Sequence, residues 1–461
     1  MEDTLYPFLR LYRHLPNRAQ NVIGRTYRLL PKHARFGSFY SEYQSRIQQF
    51  AKGTESSLML EMNFALLRET VNNAVQDVPF YLNFSKLTDF DDLLDYPVVS
   101  KKELVANPKA FISSKLAAKG LRSNTGGSAG TPMTFYIHAG RTRPKEQAHF
   151  DWFWGQTGFS SDSRLLMLRG APLNNNALCE YQAIKNCLAV SCYELNSSNV
   201  KDVIKAIKQF RPQFLHGYPS AVLNFIKCFE EDEKTIWDVP IKYLFLGSEW
   251  LSLDDRQTIE TFFHSKVLSW YGHSECAVMG GNCLDSHEYF FYPFYGYTEL
   301  LDENGKRIQK PGEVGRIVAT SFDNFVMPFI RYDTGDLGVL SRLESFDNMP
   351  CLVLERIEGR SQDFIYLLDN TRVSLTAFIF GQHFPQFSKI RELQLEQHEA
   401  GKLTLRIVKG RGYGPEDERN MKDQLIKSVS GRIKMEFEYV GSIEKTSRGK
   451  HRFLIQNILV M

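Results

Sequence analysis

The sequence predicts an α/β protein: a large N-terminal domain of layered α/β sheets with a β-rich subdomain, followed by a small C-terminal α+β domain. Three observations lead there. Short apolar runs alternate with helical stretches through the middle of the chain. Between about 290 and 345 the pattern turns to strands joined by tight turns. The last hundred residues carry strand, strand, helix and strand in sequence.

The elements follow in order. Over the first ~50 residues, Leu5, Phe8, Leu9 and Tyr12 recur at helical spacing, among Arg10, Arg13, Arg18, Arg25, Arg28, Lys32 and Arg35. We read this as a basic, aromatic N-terminal extension. Its simplest role is a docking helix with a solvated basic face, and peripheral membrane contact through residues 1–50 is the competing role. A helix runs from Leu58 to about Val75, and Ser100 with Glu103 forms a capping box for another. Arg164–Leu168, Tyr243–Leu246 and Lys266–Trp270 read as strands, and 199–210 and 220–231 as helices. Glu299–Gly305 and Gly315–Thr320 open the β-rich part. Near the C-terminus we expect strands at 390–396, 403–408 and 434–440 and a helix near 416–429. The boundary falls near Glu358-Gly359-Arg360, giving domains 1–358 and 359–461.

Composition bounds the function. With 461 residues and 43% hydrophobic content the chain can bury a sizeable core. The 56 Lys+Arg against 53 Asp+Glu leave a formal charge of +3, which is no nucleic-acid signature. No run approaches the ~20 apolar residues of a membrane span. The N-terminus shows no secretory pattern, and the seven cysteines, without a CxxC, fit a reducing, cytoplasmic compartment.

Five motifs carry chemistry. Ser123-Asn124-Thr125-Gly126-Gly127-Ser128-Ala129-Gly130-Thr131-Pro132 packs three glycines and four hydroxyls into ten positions, a loop whose backbone N–H groups suit a polyphosphate. It is not a Walker loop, since no Gly-Lys-Ser/Thr follows. Trp270-Tyr271-Gly272-His273-Ser274-Glu275 places a carboxylate beyond a strand end, where it can hold Mg²⁺ beside phosphates. Ile330-Arg331-Tyr332-Asp333-Thr334-Gly335-Asp336-Leu337 offers Asp336 to a pair of ribose hydroxyls. Gly359-Arg360-Ser361-Gln362-Asp363 and the cationic Thr446-Ser447-Arg448-Gly449-Lys450-His451-Arg452 complete the set. Taken singly, each also reads as an ordinary turn, exposed acid or solvated charge run.

Taken together, in this order and spacing, the five resemble the acyl-adenylate-forming superfamily. Within it the chain is most similar to the phenylacetate–CoA ligase-like branch, including the capsule-associated CapK-type proteins. The likeness runs from about residue 60 to 455. Asn73–Tyr81, Pro97-Val98-Val99-Ser100-Lys101, Gly217-Tyr218-Pro219-Ser220 and Gly247-Ser248-Glu249 select the branch.

The resemblance implies an ATP-dependent, AMP-forming ligase. It puts ATP phosphates on Thr125, Gly126, Gly127, Ser128 and Gly130, and adenine along Gly247, Ser248 and Glu249. Tyr271, beside Gly272, would stack on the base. Glu275 would hold Mg²⁺, Asp336 the ribose, and Arg360 would make a further nucleotide contact. Lys450 would be the catalytic lysine of a mobile small domain. The acid would lie near Tyr218, Pro219, Ser220 and His273, and an amine or thiol would accept the acyl group.

Three departures stand out. Thr131 replaces the lysine of the usual Gly-Lys-Pro, Gln362 occupies the hinge position, and Asp369–Val373 replaces a glycine-rich segment that faces CoA in thioester-forming relatives. CoA as acceptor is therefore in doubt. A structural zinc on Cys283, His287 and Cys351 is not expected, because a fourth ligand is missing. Surface-polysaccharide biosynthesis, at the inner face of the membrane, follows from the branch likeness. An aryl- or acyl-CoA synthetase and a non-catalytic nucleotide-binding relative are the alternatives.

Overall fold

The computed structural model describes residues 12, 15–51, 56–125, 133–169, 173, 177–191, 195, 198–230, 237–249, 251–342, 345–346, 349–358, 364–379, 384, 386, 389–410, 412–444 and 454–458. Among the described residues, the longer helices that precede the main sheet are α1 (Asn17–Leu29), α2 (Ser38–Ala51), α3 (Ser56–Asp77) and α4 (Thr142–Gly155). The Ser100–Glu103 capping box is present and opens the short helix Lys101–Ala106.

The centre of the molecule is five parallel strands: β1 (Leu165–Arg169), β2 (Cys187–Ser191), β3 (Phe214–Gly217), β4 (Tyr243–Gly247) and β5 (Lys266–Gly272). They lie in the spatial order β5-β4-β3-β1-β2 within one twelve-stranded sheet, whose edge beyond β2 is the antiparallel strand Cys179–Gln182. Beyond β5 the sheet continues antiparallel, through Met279–Gly281, Tyr289–Phe291, Val353–Glu358, Tyr332–Arg342, Val314–Ser321 and Gly296–Leu301. The β-rich region expected between 290 and 345 is therefore a continuation of the same sheet.

Side-chain alternation explains why these runs are apolar without a break. Leu166, Leu168, Val190, Leu215, Leu244 and Leu246 face the layer formed by α5 (Val200–Phe210), α6 (Pro219–Glu230) and α7 (Leu253–Phe263). Leu165, Met167, Cys187, Phe214, Phe245 and Leu268 face the opposite side, where Phe39, Tyr40, Tyr43, Ile47 and Phe50 of α2 pack with Ala148 and Phe153 of α4. Both faces being covered, most strand positions carry an apolar side chain, and polar ones such as His216 and Ser269 are buried with hydrogen-bond partners.

This corrects one reading of the N-terminus. The basic extension divides at Gly37: α2 belongs to the core, whereas α1 rests on the surface. Arg46 of α2 forms a two-pronged ion pair with Asp323, at 2.7 and 2.9 Å, and Lys145 of α4 approaches the same carboxylate at 3.8 Å. Lys145 Nζ also donates to the carbonyls of Tyr295 and Phe322. Burial alone would push Asp323 up, but Arg46 and Lys145 outweigh it and hold the carboxyl below its usual range.

The C-terminal part is a four-stranded sheet in the order Lys434–Tyr439, Lys402–Lys409, Ile390–Glu399, Leu454–Gln456, covered by α8 (Pro415–Ser428). Leu393, Leu395, Leu405, Ile407, Met421 and Leu425 are its buried centre. The expected small α+β unit is thus present, with each strand and helix within a few residues of its predicted bounds.

Removing the Arg46 charge leaves Asp323 short of its main partner in a site it cannot leave. Arg46→Ala should cost about 3 kcal/mol or more, read as a lowered thermal midpoint. Because folded Asp323 binds its proton more weakly than the unfolded chain does, its contribution is complete above the ordinary aspartate pKa and fades as pH falls below it. The difference in melting temperature between wild type and the variant should therefore shrink in acid.

Candidate functional site

The parallel strands bring three sequence motifs to one edge. Gly217 of β3 pairs with Leu246 of β4, and Gly247 pairs with Trp270 of β5, so the segments that follow emerge side by side beyond the carboxyl ends. At Gly247 a Cβ would lie 2.3 Å from the Trp270 ring, so only glycine lets the chain pass over the indole. Ser248 then takes a left-handed backbone, φ 66°. The turn is locked from the side: Glu249 accepts hydrogen bonds from the Ser220 backbone N–H at 3.0 Å and from its hydroxyl at 3.1 Å. A carboxylate at the first turn of α6 also answers that helix's positive end. Glu249 thus joins the expected adenine segment to the expected acid-binding segment at Tyr218-Pro219-Ser220.

The β5 motif and the Asp336 motif meet. The Tyr271 hydroxyl donates to Asp336 Oδ2 at 2.8 Å, so the two residues expected on base and ribose are in contact. One turn further on, Glu275 Oε1 accepts from the Tyr332 hydroxyl at 2.8 Å, and His273 Nδ1 lies 3.0 Å from Oε2. Glu275 is 7% exposed. Burial by itself would raise its pKa; His273, Lys101 and the Tyr332 hydroxyl overcome that and lower it to about 2. The carboxylate is therefore ionised throughout the neutral range. His273 Nε2 is buried and has no hydrogen-bond partner among the described residues.

Lys101 reaches this neighbourhood because its segment is stitched to the Asp336 strand. Val99 N donates to the Arg331 carbonyl and Asp333 N to the Val99 carbonyl, each at 2.9 Å. The Pro97–Lys101 stretch thus acquires a physical role. Arg331 in turn is structural: its guanidinium pairs with buried Glu299 at 3.0 and 3.2 Å and donates to the Tyr96 carbonyl at 2.8 Å.

Thr125 closes the base of the glycine loop. Its N–H donates to the Met133 carbonyl at 2.8 Å, and its hydroxyl accepts from Met133 N at 3.1 Å. Gly126, Gly127, Ser128, Gly130 and Thr131 lie outside the described residues, as do Arg360, Gln362 and Lys450. Gly247, Ser248, Glu249, Tyr218, Pro219 and Ser220 form one group around Glu249, and Tyr271, Gly272, His273, Glu275 and Asp336 a second along the end of β5, while Thr125 is held separately by Met133.

Behind Glu275 lies a cluster that the motifs do not announce. Cys276 has φ 55°, and its thiol, with Glu146, sits against the Tyr295 hydroxyl. Burial and then Glu146 raise the thiol well above its ordinary pKa, and burial raises Glu146 too. The signal available beforehand was Lys145-Glu146, two adjacent charges inside an aromatic helix. Charged residues there need partners.

For Mg²⁺ the donor chemistry fits. Glu275 is an ionised oxygen ligand at a strand end, and each of its oxygens retains a lone pair after the contacts described. Among the described residues no group of three or more His, Cys, Asp or Glu is placed to hold a metal. The ion would accordingly be shared between Glu275, nucleotide phosphates and water. Cys283 and Cys351 carry no disulfide, and both lie near Tyr292.

The chain is similar to several known proteins. Residues 367–457 match the CapK C-terminal domain. Over 477 aligned residues the chain is 24% identical to Protein CapK of Staphylococcus aureus, covering 97% of this chain and 99% of that one. A 167-residue stretch is 23% identical to the phenylacetate–coenzyme A ligase of Thermus thermophilus, covering 36% and 38%. Among solved structures, 2-hydroxyisobutyryl-CoA ligase in complex with 2-HIB-AMP and CoA superposes with a TM-score of 0.56 at 19% identity, over 88% of this chain and 91% of the other. In fold the chain is thus similar to the adenylate-forming 2-hydroxyisobutyryl-CoA ligase, and in sequence to CapK and phenylacetate–coenzyme A ligase.

Proposed function

We propose that the protein activates a carboxylic acid with ATP and passes the acyl group to an amine or thiol, as a step in building a surface polysaccharide. The observation that carries this reading is the pair of contacts at the strand ends, Tyr271 to Asp336 and Tyr332 to Glu275. They set a ribose-type acid beside an aromatic ring and a metal-type acid one turn away. The relation to CapK supports the polysaccharide context, and a cytoplasmic setting accords with it.

The chemistry has two steps. A carboxylate oxygen attacks the α-phosphorus, the bond to the pyrophosphate oxygen breaks, and pyrophosphate leaves with the electron pair. The acceptor then attacks the acyl carbon, AMP leaves, and the amine or thiol loses its proton. Both reactants of the first step are anions, so positioning and charge neutralisation dominate the barrier. When bound, Mg²⁺ supplies positive charge to the phosphate oxygens. Glu275 would hold it. Tyr332 and His273 keep that carboxylate oriented, while Asp336 orients the ribose and Tyr271 the base. Gly126, Gly127, Ser128 and Gly130 would wrap the phosphates, with Arg360 as an added nucleotide contact. Lys450 would sit between the carboxylate and the α-phosphate during the first step. Rotation of residues 359–461 would then withdraw Lys450 and admit the acceptor.

A second reading keeps the first step and makes CoA the acceptor, as an aryl- or acyl-CoA synthetase. The partial match to phenylacetate–coenzyme A ligase favours it. Asp369–Val373 weighs against it: Thr371 N donates to Asp369 at 3.0 Å, forming a side-chain-locked turn in place of a glycine-rich segment.

Carboxylate-dependent ATP–pyrophosphate exchange over uronic, amino, aromatic and fatty acids tests the first step. Exchange with at least one acid is expected; none, alongside intact ATP binding, would leave a non-catalytic nucleotide-binding relative. Where exchange occurs, Lys450→Ala and Glu275→Gln should each lower it a hundredfold or more, about 3 kcal/mol. Unchanged exchange in either variant contradicts the role given to that residue. Tyr271→Phe removes one donor from Asp336 and should raise KM for ATP severalfold with kcat little altered. Product analysis with CoA against amines then separates the two readings of the second step.

A further inference from the structure

Helix α1 presents an outward face that the core does not use. Its inner side is seated: a Cβ at Gly24 would lie 2.6 Å from the Ala183 side chain, so the helix backbone touches the turn between the two outermost strands. On the other side Val22 is 66% exposed, Ile23 45%, Leu29 85% and Leu30, which caps the helix, 46%. At 3.6 residues per turn, Val22 and Leu29 stand one above the other, two turns apart, and Ile23 and Leu30 form a parallel row. Arg18 and Arg25, both exposed, run along the Val22–Leu29 row. The helix contains no acid, and none occurs between Asp3 and Glu42, an interval holding seven arginines and lysines.

An apolar strip edged with arginine, with no acid near it, fits an anionic lipid surface. Apolar side chains enter the acyl boundary while the arginines lie among the headgroup phosphates. Among the described residues no helix is long and apolar enough to cross a membrane, so the contact would be lateral. We infer that the outward face of α1, through Val22, Leu29, Arg18 and Arg25, docks the protein onto an anionic bilayer. This stands apart from the adenylation reading, because neither the residues nor the readout involve the nucleotide site. It also removes α2 from the membrane-facing part of the N-terminus, since α2 is committed to the core through Arg46 and its buried aromatics.

The test is co-sedimentation of the full chain with phosphatidylcholine vesicles, with and without phosphatidylglycerol. Binding should require the anionic lipid and weaken as salt is raised. Val22→Ser/Leu29→Ser should reduce it tenfold or more. Arg18→Gln/Arg25→Gln should reduce it by about fivefold per arginine on anionic vesicles. All four positions are exposed, so melting temperature and ATP binding should match wild type and show that each variant is folded. Equal binding to neutral and anionic vesicles would overturn the inference, as would double variants that bind like wild type. No vesicle binding, with self-association that Val22→Ser/Leu29→Ser abolishes, would assign the face to a second copy of the chain and equally overturn it.

Discussion

The architecture turns on one buried negative charge. Asp323 lies in the interior with a left-handed backbone, φ 69°, and 2% exposure. Such a carboxylate is tolerated only when compensated. Its compensation comes from two directions, Arg46 on α2 and Lys145 on α4. Lys145 in turn is fixed to the carbonyls of Tyr295 and Phe322, and burial lowers its pKa to about 8. A helix some 280 residues away in sequence is thereby fastened to the loop that leads into the Asp336 strand. The neighbouring Glu146 meets the Tyr295 hydroxyl and Cys276, directly behind Glu275. Charge balance in the core and carboxylate placement at the site are one connected problem.

The same constraint is written in the backbone. Ser248, Cys276, Asp323 and Arg331 all adopt positive φ without being glycine, and each belongs to a segment that builds or supports the site. A non-glycine residue held this way costs on the order of 1–3 kcal/mol. Surrounding contacts hold these four: the two-pronged pairs of Asp323 and Arg331, the lock of Glu249 on Ser220, and the packing of Cys276 beneath Tyr295.

Much of this was legible in the sequence. The apolar runs of β1, β4 and β5, alternating with helical stretches, announced α/β layers, while the short β3 and the parallel pairing of the strands appear only in the structure. Glu275 was marked by its place beyond a strand end and Asp336 by its turn glycine, whereas Gly247 and Tyr271 were singled out by the resemblance. What was not legible depends on long-range pairing. Arg331 stands within the Asp336 motif, and nothing in the sequence shows that Glu299 engages it across the sheet. Lys101 reads as a helix-start residue, and only the Val99–Tyr332 bridge carries it toward Glu275. The N-terminal extension read as one basic segment because composition does not show that Arg46 finds a buried partner while Arg25 faces solvent.

Cys276 has a consequence for how an activated acyl group can travel. A thiol beside a reactive mixed anhydride is an obvious thief, since a thiolate would capture the acyl group and strand it on the protein. Here burial and the adjacent Glu146 keep the sulfur protonated and therefore a poor nucleophile. On the proposed adenylation reading, sulfur one residue from Glu275 would then offer no covalent side route, and an acyl-adenylate would be left for the incoming acceptor.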